Sequence, residues 1–353
     1  MKGRRLKSFQ AINEAIDLCM AKDPAVYLIG LGAPDPKGIF GSTLGLQHKY
    51  GDARVMDMPT SENAMTGVVI GSALVGMRPI MVHQRLDFAL LAVEEIVNNA
   101  AKWYYMFGGQ RSMPLVIRMV VGRGWGQGPQ HSQSLEAWYA HVPGLKVVMP
   151  ATAYDTKGLL IASIEDDNPV IFIEHRWLHN LSGDVPEGVY RVPLGKAHVS
   201  RQGRDLTIAS SSYMTLEAIR AADVLAQEEI RAEVIDIRTL KPLDEAPILE
   251  SVRKTGRFIV ATTGWKTLGF GAEVVARISE EALGDLKCPP RRVALPDCPT
   301  PSTPALANHY YPRADHIIAA AREMLGLDAP EPAPEATASV PLDVPDPSFT
   351  GPF

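Results

Sequence analysis

Two α/β units, each a doubly wound parallel sheet, are predicted by three features of the chain. Short β-branched apolar runs alternate with longer stretches of helical periodicity. The apolar runs are nearly continuous rather than alternating. One Gly- and Pro-rich interval interrupts the rhythm past the middle. Strand–helix alternation builds parallel sheets with helices on their faces, and a run such as LVIRMVV suits a strand buried on both sides.

The expected strands of the first unit are Val26–Gly30, Pro79–His83, Leu115–Val121, Leu145–Met149 and Val170–Glu174. Those of the second are Leu206–Ser210, Ala232–Ile237, Phe258–Ala261 and Arg292–Leu295. Helical patterns lie between them at Ala89–Tyr105, Ala153–Glu165, Thr215–Glu228, Glu273–Leu283 and Ala314–Leu325. LSGDVPEGVYRVPLGKA, residues 181–197, reads as a connection between units. The first unit is therefore placed at 1–185, a linker at 186–199 and the second unit at 200–328. The remaining segment, 329–353, is Pro-rich and without periodicity, and reads either as a loose tail or as a segment that docks on a partner subunit.

Composition narrows the function classes. The 353 residues are 46% hydrophobic and 21% charged, ordinary for a chain that buries a real core. A net charge of −5 without a basic run argues against nucleic acid. No apolar run approaches the roughly 20 residues needed to cross a bilayer, and no signal peptide is evident, so the expected location is the cytoplasm. Cys19, Cys288 and Cys298 are too scattered for a metal pattern and read as free thiols.

Three stretches carry polar residues in informative surroundings. In DMPTSENAMTGVVIGSALVGMRP, Thr60 and Ser61 are good helix caps and Glu62 falls in the first turn. On its own Glu62 reads as a carboxylate favoured by the helix dipole. Gly67, Gly71 and Gly76 make that helix intrinsically poor, at roughly 1 kcal/mol per Gly, a cost usually met by something packed close to the backbone. In HQRLDFALLAVEEIVNNAAKWYYMFGGQ a strand runs into a long helix with Phe88 at the junction. In VVGRGWGQGPQHSQSLEAWYAHVPGLKVVMP a Gly-rich loop of the kind that covers ligands precedes His131. There is no Walker loop, serine-hydrolase elbow or HExxH spacing.

Taken together, PTSENAMTGVVIGSALVGMRPI, EEIVNNAAKWYYMFGGQ, GPQHSQSLEAWYAHVPGLKVVMP and IEDDNPVIFIEHRWL, followed by VIDIRTLKPLD, TGRFIVATTGWKTLGFGAEVVARI and LANHYYP, resemble the beta subunit of the decarboxylating component of 2-oxo acid dehydrogenase complexes (pyruvate, branched-chain and acetoin types). The resemblance spans about residues 5–328. It implies a pyrimidine-binding domain followed by a transketolase C-terminal-type domain. It implies that Glu62 hydrogen-bonds the aminopyrimidine ring of thiamine diphosphate, favouring the imino tautomer that accepts the thiazolium proton. Phe88 matches an aromatic stacked on that ring, and His131 a histidine near the reacting centre. Leu115, Ser163, Ile164, Asp166 and Asn168 match a structural monovalent cation site, potassium by implication, built on oxygens.

The diphosphate- and magnesium-binding GDG motif of such enzymes is missing, with only GDA, GDV and GDL present. The resemblance therefore implies that an alpha-type subunit supplies that half of the site and holds magnesium, in an α2β2 heterotetramer, with a lipoyl acyltransferase core as a further partner. The expected activity is oxidative decarboxylation of a 2-oxo acid with acyl transfer to a lipoyl domain. The alternative is a split transketolase-like or carboligating subunit that passes a two-carbon or acyl unit to an aldehyde. A non-enzymatic homologue is disfavoured by the presence of Glu62. Departures from the family pattern are Leu31 and Gly32 in place of acidic residues, TTGW at 262–265 without the usual glutamate, and the polar His83, Gln84 and Arg85. Arg85 suits a salt bridge between subunits, the more ordinary reading, or a carboxylate or phosphate on an unusual substrate.

Overall fold

The computed structural model describes residues 4–124 and 126–329; the Pro-rich segment from residue 330 onward lies outside the described residues. A seven-stranded sheet has the order Thr239–Lys241, Lys146–Val148, Val170–His175, Val116–Val121, Arg78–His83, Val26–Gly30 and Val55–Met56. Only Thr239–Lys241 runs antiparallel to its neighbour. A five-stranded sheet has the order Arg291–Leu295, Phe258–Trp265, Leu206–Ser210, Ala232–Asp236 and His198–Arg201, the last antiparallel.

The continuous apolar runs are explained by burial of both faces of each sheet. In Arg78–His83, Ile80 and Val82 join one cluster with Ile12, Ile16, Leu160 and Ile161 from the helices Ser8–Lys22 and Ala153–Glu165. Met81, between them, joins the opposite cluster with Val69 and Ile96. Successive side chains of a strand point to opposite faces, so every residue of such a strand is inside. The Met81-side cluster continues into Ile235, Phe258 and Val274 of the second unit. The two sheets thus share one core, and Thr239–Lys241, from beyond the linker, completes the edge of the first sheet.

Two expectations are corrected. The helix expected over Ala89–Tyr105 is instead a short α-turn at Leu86–Ala89, a 3-10 turn at Leu90–Ala92, a π-turn at Glu95–Ala100 and an α-helix at Ala101–Met106. The wider π-turn shifts the hydrogen-bond ladder without destroying the apolar periodicity, and such turns occur often at functional sites. The connecting stretch 181–197 is itself anchored: Ser182–Val185 pairs antiparallel with Arg4–Lys7. Val192 lies so close to Gly158 that a Cβ there would be 2.6 Å from Val192 Cγ2. Finally, among the described residues nothing presses close on the glycine positions of the helix Glu62–Leu74. A Cβ at Gly71 would meet nothing within 4 Å, and at Gly67 only the Glu95 carboxylate at 3.8 Å. Its outer face instead leaves Val68 and Val75 exposed, at 57% and 83%.

Candidate active site

The helix headed by Glu62 packs on strand Arg78–His83 and on the turns that follow Phe88. Ser61 is the N-cap, but its side chain makes no capping bond; Met65 N donates to Ser61 O at 3.0 Å. Glu62 is buried, at 4% exposure, and its Oε2 has no hydrogen-bond partner among the described residues. A buried carboxylate oxygen left unanswered is costly. This one therefore fits a donor supplied from outside the described chain, such as a ring nitrogen bearing hydrogen.

Phe88 and His131 meet directly, ring centroids 5.4 Å apart and planes at 89°. Both are half-buried. The His131 loop is tied to the Phe88 segment through Gln133, whose Nε2 donates to Asp87 Oδ1 at 2.8 Å. The structure thus brings two of the three expected site residues into contact and sets Glu62 on the helix that packs on the same segment. His141, at the end of the helix Glu136–His141 that follows this loop, is exposed.

Glu136 was not singled out by sequence reasoning. It is buried at 1% exposure, accepts from Ser134 Oγ at 2.8 Å, and lies so near Gly264 that a Cβ there would be 2.5 Å from its Oε1. Burial pushes its pKa up to about 7 against the partial relief of its hydrogen bonds. The only available signal was the missing glutamate in TTGW: a carboxylate reaches that strand from a different element.

The expected cation residues also come together, at the ends of the strands Val116–Val121 and Val170–His175. Their oxygens are partly engaged: Leu115 O accepts from Val170 N at 2.9 Å, and Ser163 O from Asp166 N at 3.3 Å. Ile164 O and Asp166 O each accept from Arg78 Nη1 at 3.1 Å. The Asp166 carboxylate receives Lys146 Nζ at 2.7 Å, while Asn168 Oδ1 is buried without a partner among the described residues. Arg78 therefore already supplies positive charge to two of these carbonyls.

Comparison with known proteins is decisive about kinship. The transketolase pyrimidine binding domain profile matches residues 5–180, and the transketolase C-terminal domain profile residues 195–317. The chain is 45% identical to the acetoin:2,6-dichlorophenolindophenol oxidoreductase subunit beta of Cupriavidus necator, over 91% of this chain and 98% of that one. It is 42% identical to the 2-oxoisovalerate dehydrogenase subunit beta of Bacillus subtilis, over 89% and 97%. It is 41% identical to the pyruvate dehydrogenase E1 component subunit beta-2 of Oryza sativa, over 89% and 84%. The chain belongs to the 2-oxo acid dehydrogenase E1 beta-subunit family.

A solved split-gene transketolase, described as an inactive beta4 tetramer, shares the fold with a TM-score of 0.74 at 26% identity, over 91% of this chain and 99% of that one. These three relatives are dehydrogenase or oxidoreductase beta subunits, so kinship favours the dehydrogenase over the split-transketolase alternative. As an E1 beta subunit the chain works with thiamine diphosphate and with an alpha subunit. Among the described residues no helix is long and apolar enough to cross a membrane.

Proposed function

We propose that this beta subunit and an alpha-type partner form a shared active site that oxidatively decarboxylates a 2-oxo acid, of the pyruvate or branched-chain type to which the relatives' names point, and passes the acyl group to a lipoyl domain. The observation that carries the reading is the Glu62 carboxylate, buried and with Oε2 unanswered, at the head of a helix beside the Phe88–His131 pair. When bound, thiamine diphosphate supplies the carbon nucleophile and the electron sink. Glu62 would hold the pyrimidine ring in its reactive tautomer, Phe88 would stack on it, and His131, held edge-on against Phe88, would orient the substrate or hand on the acyl group.

Magnesium and the diphosphate are assigned to the alpha-type side, in an α2β2 assembly. The exposed outer face of the Glu62 helix, with Val68 and Val75, supports burial against a partner. For the monovalent cation we assign potassium to the Leu115, Ser163, Ile164, Asp166 and Asn168 cluster, on the strength of the orphaned Asn168 Oδ1. Equal thermal stability in potassium and tetramethylammonium chloride would retire that assignment. The test of the function itself is reductive acylation of a lipoyl domain by the reconstituted alpha–beta pair. Acyl transfer from a 2-oxo acid to one sulfur of the lipoyl disulfide, with the S–S bond broken and the other sulfur released as a thiol, is expected, and transfer only to aldehydes would replace the reading with carboligation.

A further inference from the structure

The loop that carries His131 is anchored on both units of the fold. On the first unit, Arg85 donates from Nη1 to Gly122 O at 2.6 Å and from Nη2 to Gln127 Oε1, and Gln133 Nε2 reaches Asp87 beside Phe88. Arg85 is buried and engaged inside this chain, not in a salt bridge between subunits. On the second unit, Gly128 lies against Ser302 with no room for a Cβ, and Ser134 Oγ stands 3.2 Å from Thr263 Oγ1 on the strand Phe258–Trp265. His131 sits between these anchors, its N–H donating to Gly128 O at 3.2 Å.

The anchor at Thr263 is a chain of oxygens that ends on Glu136. Ser134 Oγ also bonds Glu136 Oε2 at 2.8 Å, and the carboxyl presses on Gly264, where a Cβ would meet Oε1 at 2.5 Å. Ser134, Glu136 and Thr263 are all buried. Ser134 owns one proton and faces two acceptors. With Glu136 neutral, its hydroxyl donates to Ser134 Oγ and Ser134 donates onward to Thr263. With Glu136 ionised and its proton gone to solvent, the Ser134 hydroxyl turns to the carboxylate, and the bond to Thr263 survives only if Thr263 reverses.

Burial without a cation favours the neutral carboxyl. Tyr139 and His141 share the Glu136 helix, and Asp87 bears on Tyr139 from the Phe88 segment. Lys241 Nζ donates to Ala140 O at 2.9 Å, and Arg277 pairs with Glu273 at 2.7 Å on the helix Phe270–Ala282. None of these charges sets the proton on Glu136. Burial raises its pKa, and only Ser134 and the N–H groups of Glu136 and Gly264 oppose it.

We propose that Glu136, acting through Ser134, is a positioning residue for His131: the neutral carboxyl clasps the His131 loop onto the second unit and so holds the imidazole edge-on to Phe88 for substrate binding. The inference rests on the decarboxylase reading and adds to it a residue that touches neither substrate nor cofactor.

The test uses the reconstituted alpha–beta holoenzyme with pyruvate or 2-oxoisovalerate and 2,6-dichlorophenolindophenol as electron acceptor. Ser134→Ala and Glu136→Leu should each raise KM about ten-fold with little change in kcat, the pattern of lost ground-state positioning. Glu136→Gln keeps a neutral donor of similar shape and should recover most of that loss. Wild-type KM should rise about five-fold between about pH 6.5 and 8.5, and the Gln variant should lack that rise. Hydrogen exchange of residues 127–135 in the holoenzyme gives a readout that needs no turnover. After correction for intrinsic rate, it should speed up in Ser134→Ala, and in the wild type at the higher pH, but not in Glu136→Gln. A KM rise in Glu136→Gln equal to that in Glu136→Leu, a loss confined to kcat, or loop exchange indifferent to Ser134→Ala would overturn the clasp and leave the decarboxylase standing. The expected exchange pattern in an enzyme that turns over no 2-oxo acid would support the clasp and overturn the decarboxylase alone.

Discussion

Arg118 grips both carboxylate oxygens of Glu174, Nε to Oε1 at 2.5 Å and Nη2 to Oε2 at 3.0 Å, inside the first sheet where neither side chain is more than 2% exposed. Register explains the meeting. Arg118 pairs with Phe172 on the adjacent strand, so Glu174, two residues on, points to the same face. Ser42 Oγ accepts from Arg118 Nη2 at 2.9 Å, and His179 Nε2 lies 3.1 Å from Glu174 Oε2. Removing one partner strands the other charge in the core. Arg118→Met or Glu174→Gln is therefore expected to cost about 3–5 kcal/mol of folding stability, measured by urea denaturation of the purified chain. A loss below 1 kcal/mol would mean that the pair is solvated.

The same pair has a pH signature. Burial alone would raise the Glu174 pKa, but the charge of Arg118 and the bonds from His179 and Arg118 bring it down to about 2. A depressed carboxylate stabilises the folded state above its unfolded pKa and loses that contribution as pH falls. Wild-type stability should decline between about pH 4.5 and 2 more steeply than that of Glu174→Gln. Parallel acid melts would contradict the assignment.

Glu136 titrates with the opposite sign. Its pKa is raised from the ordinary 4.5 to about 7 by burial, so the folded state holds the proton more tightly than the unfolded chain. The associated stability is complete below pH 4.5 and is lost as pH rises through 7. Glu136→Gln, which carries no charge, should become the more stable form by up to about 3 kcal/mol at pH 8, with no gap at pH 4. A melting-temperature series from pH 4 to 8 reads this directly.

Glu62→Gln should leave the fold intact, because the carboxylate's Oε2 has no partner among the described residues for the change to remove. In the reconstituted pair, turnover should fall by at least the ~10²-fold associated with a lost acid–base group. Near-normal turnover would remove Glu62 from the chemistry.

Gly122 tests the support beneath the His131 loop. Its φ is +93° and a Cβ would lie 2.7 Å from His175 Cε1, while its carbonyl receives Arg85. Gly122→Ala should destabilise the chain by about 1–3 kcal/mol through backbone strain and raise KM more than it lowers kcat. An unchanged KM would show that the loop tolerates the shift.

The sequence by itself determined the alternation of strands and helices, the burial of both sheet faces, the family, and the order of Glu62, Phe88 and His131 along the chain. These are written in local periodicity and in short motifs, which depend on near neighbours. Only the tertiary structure decided that Arg85 and Arg176 lie near the same ring, that Glu136 reaches the strand lacking its expected glutamate, and that Thr239–Lys241 belongs to the first sheet. Those meetings depend on strand register and on loops that return from distant parts of the chain. A residue's local pattern records whether it is buried, and not which distant residue it will face.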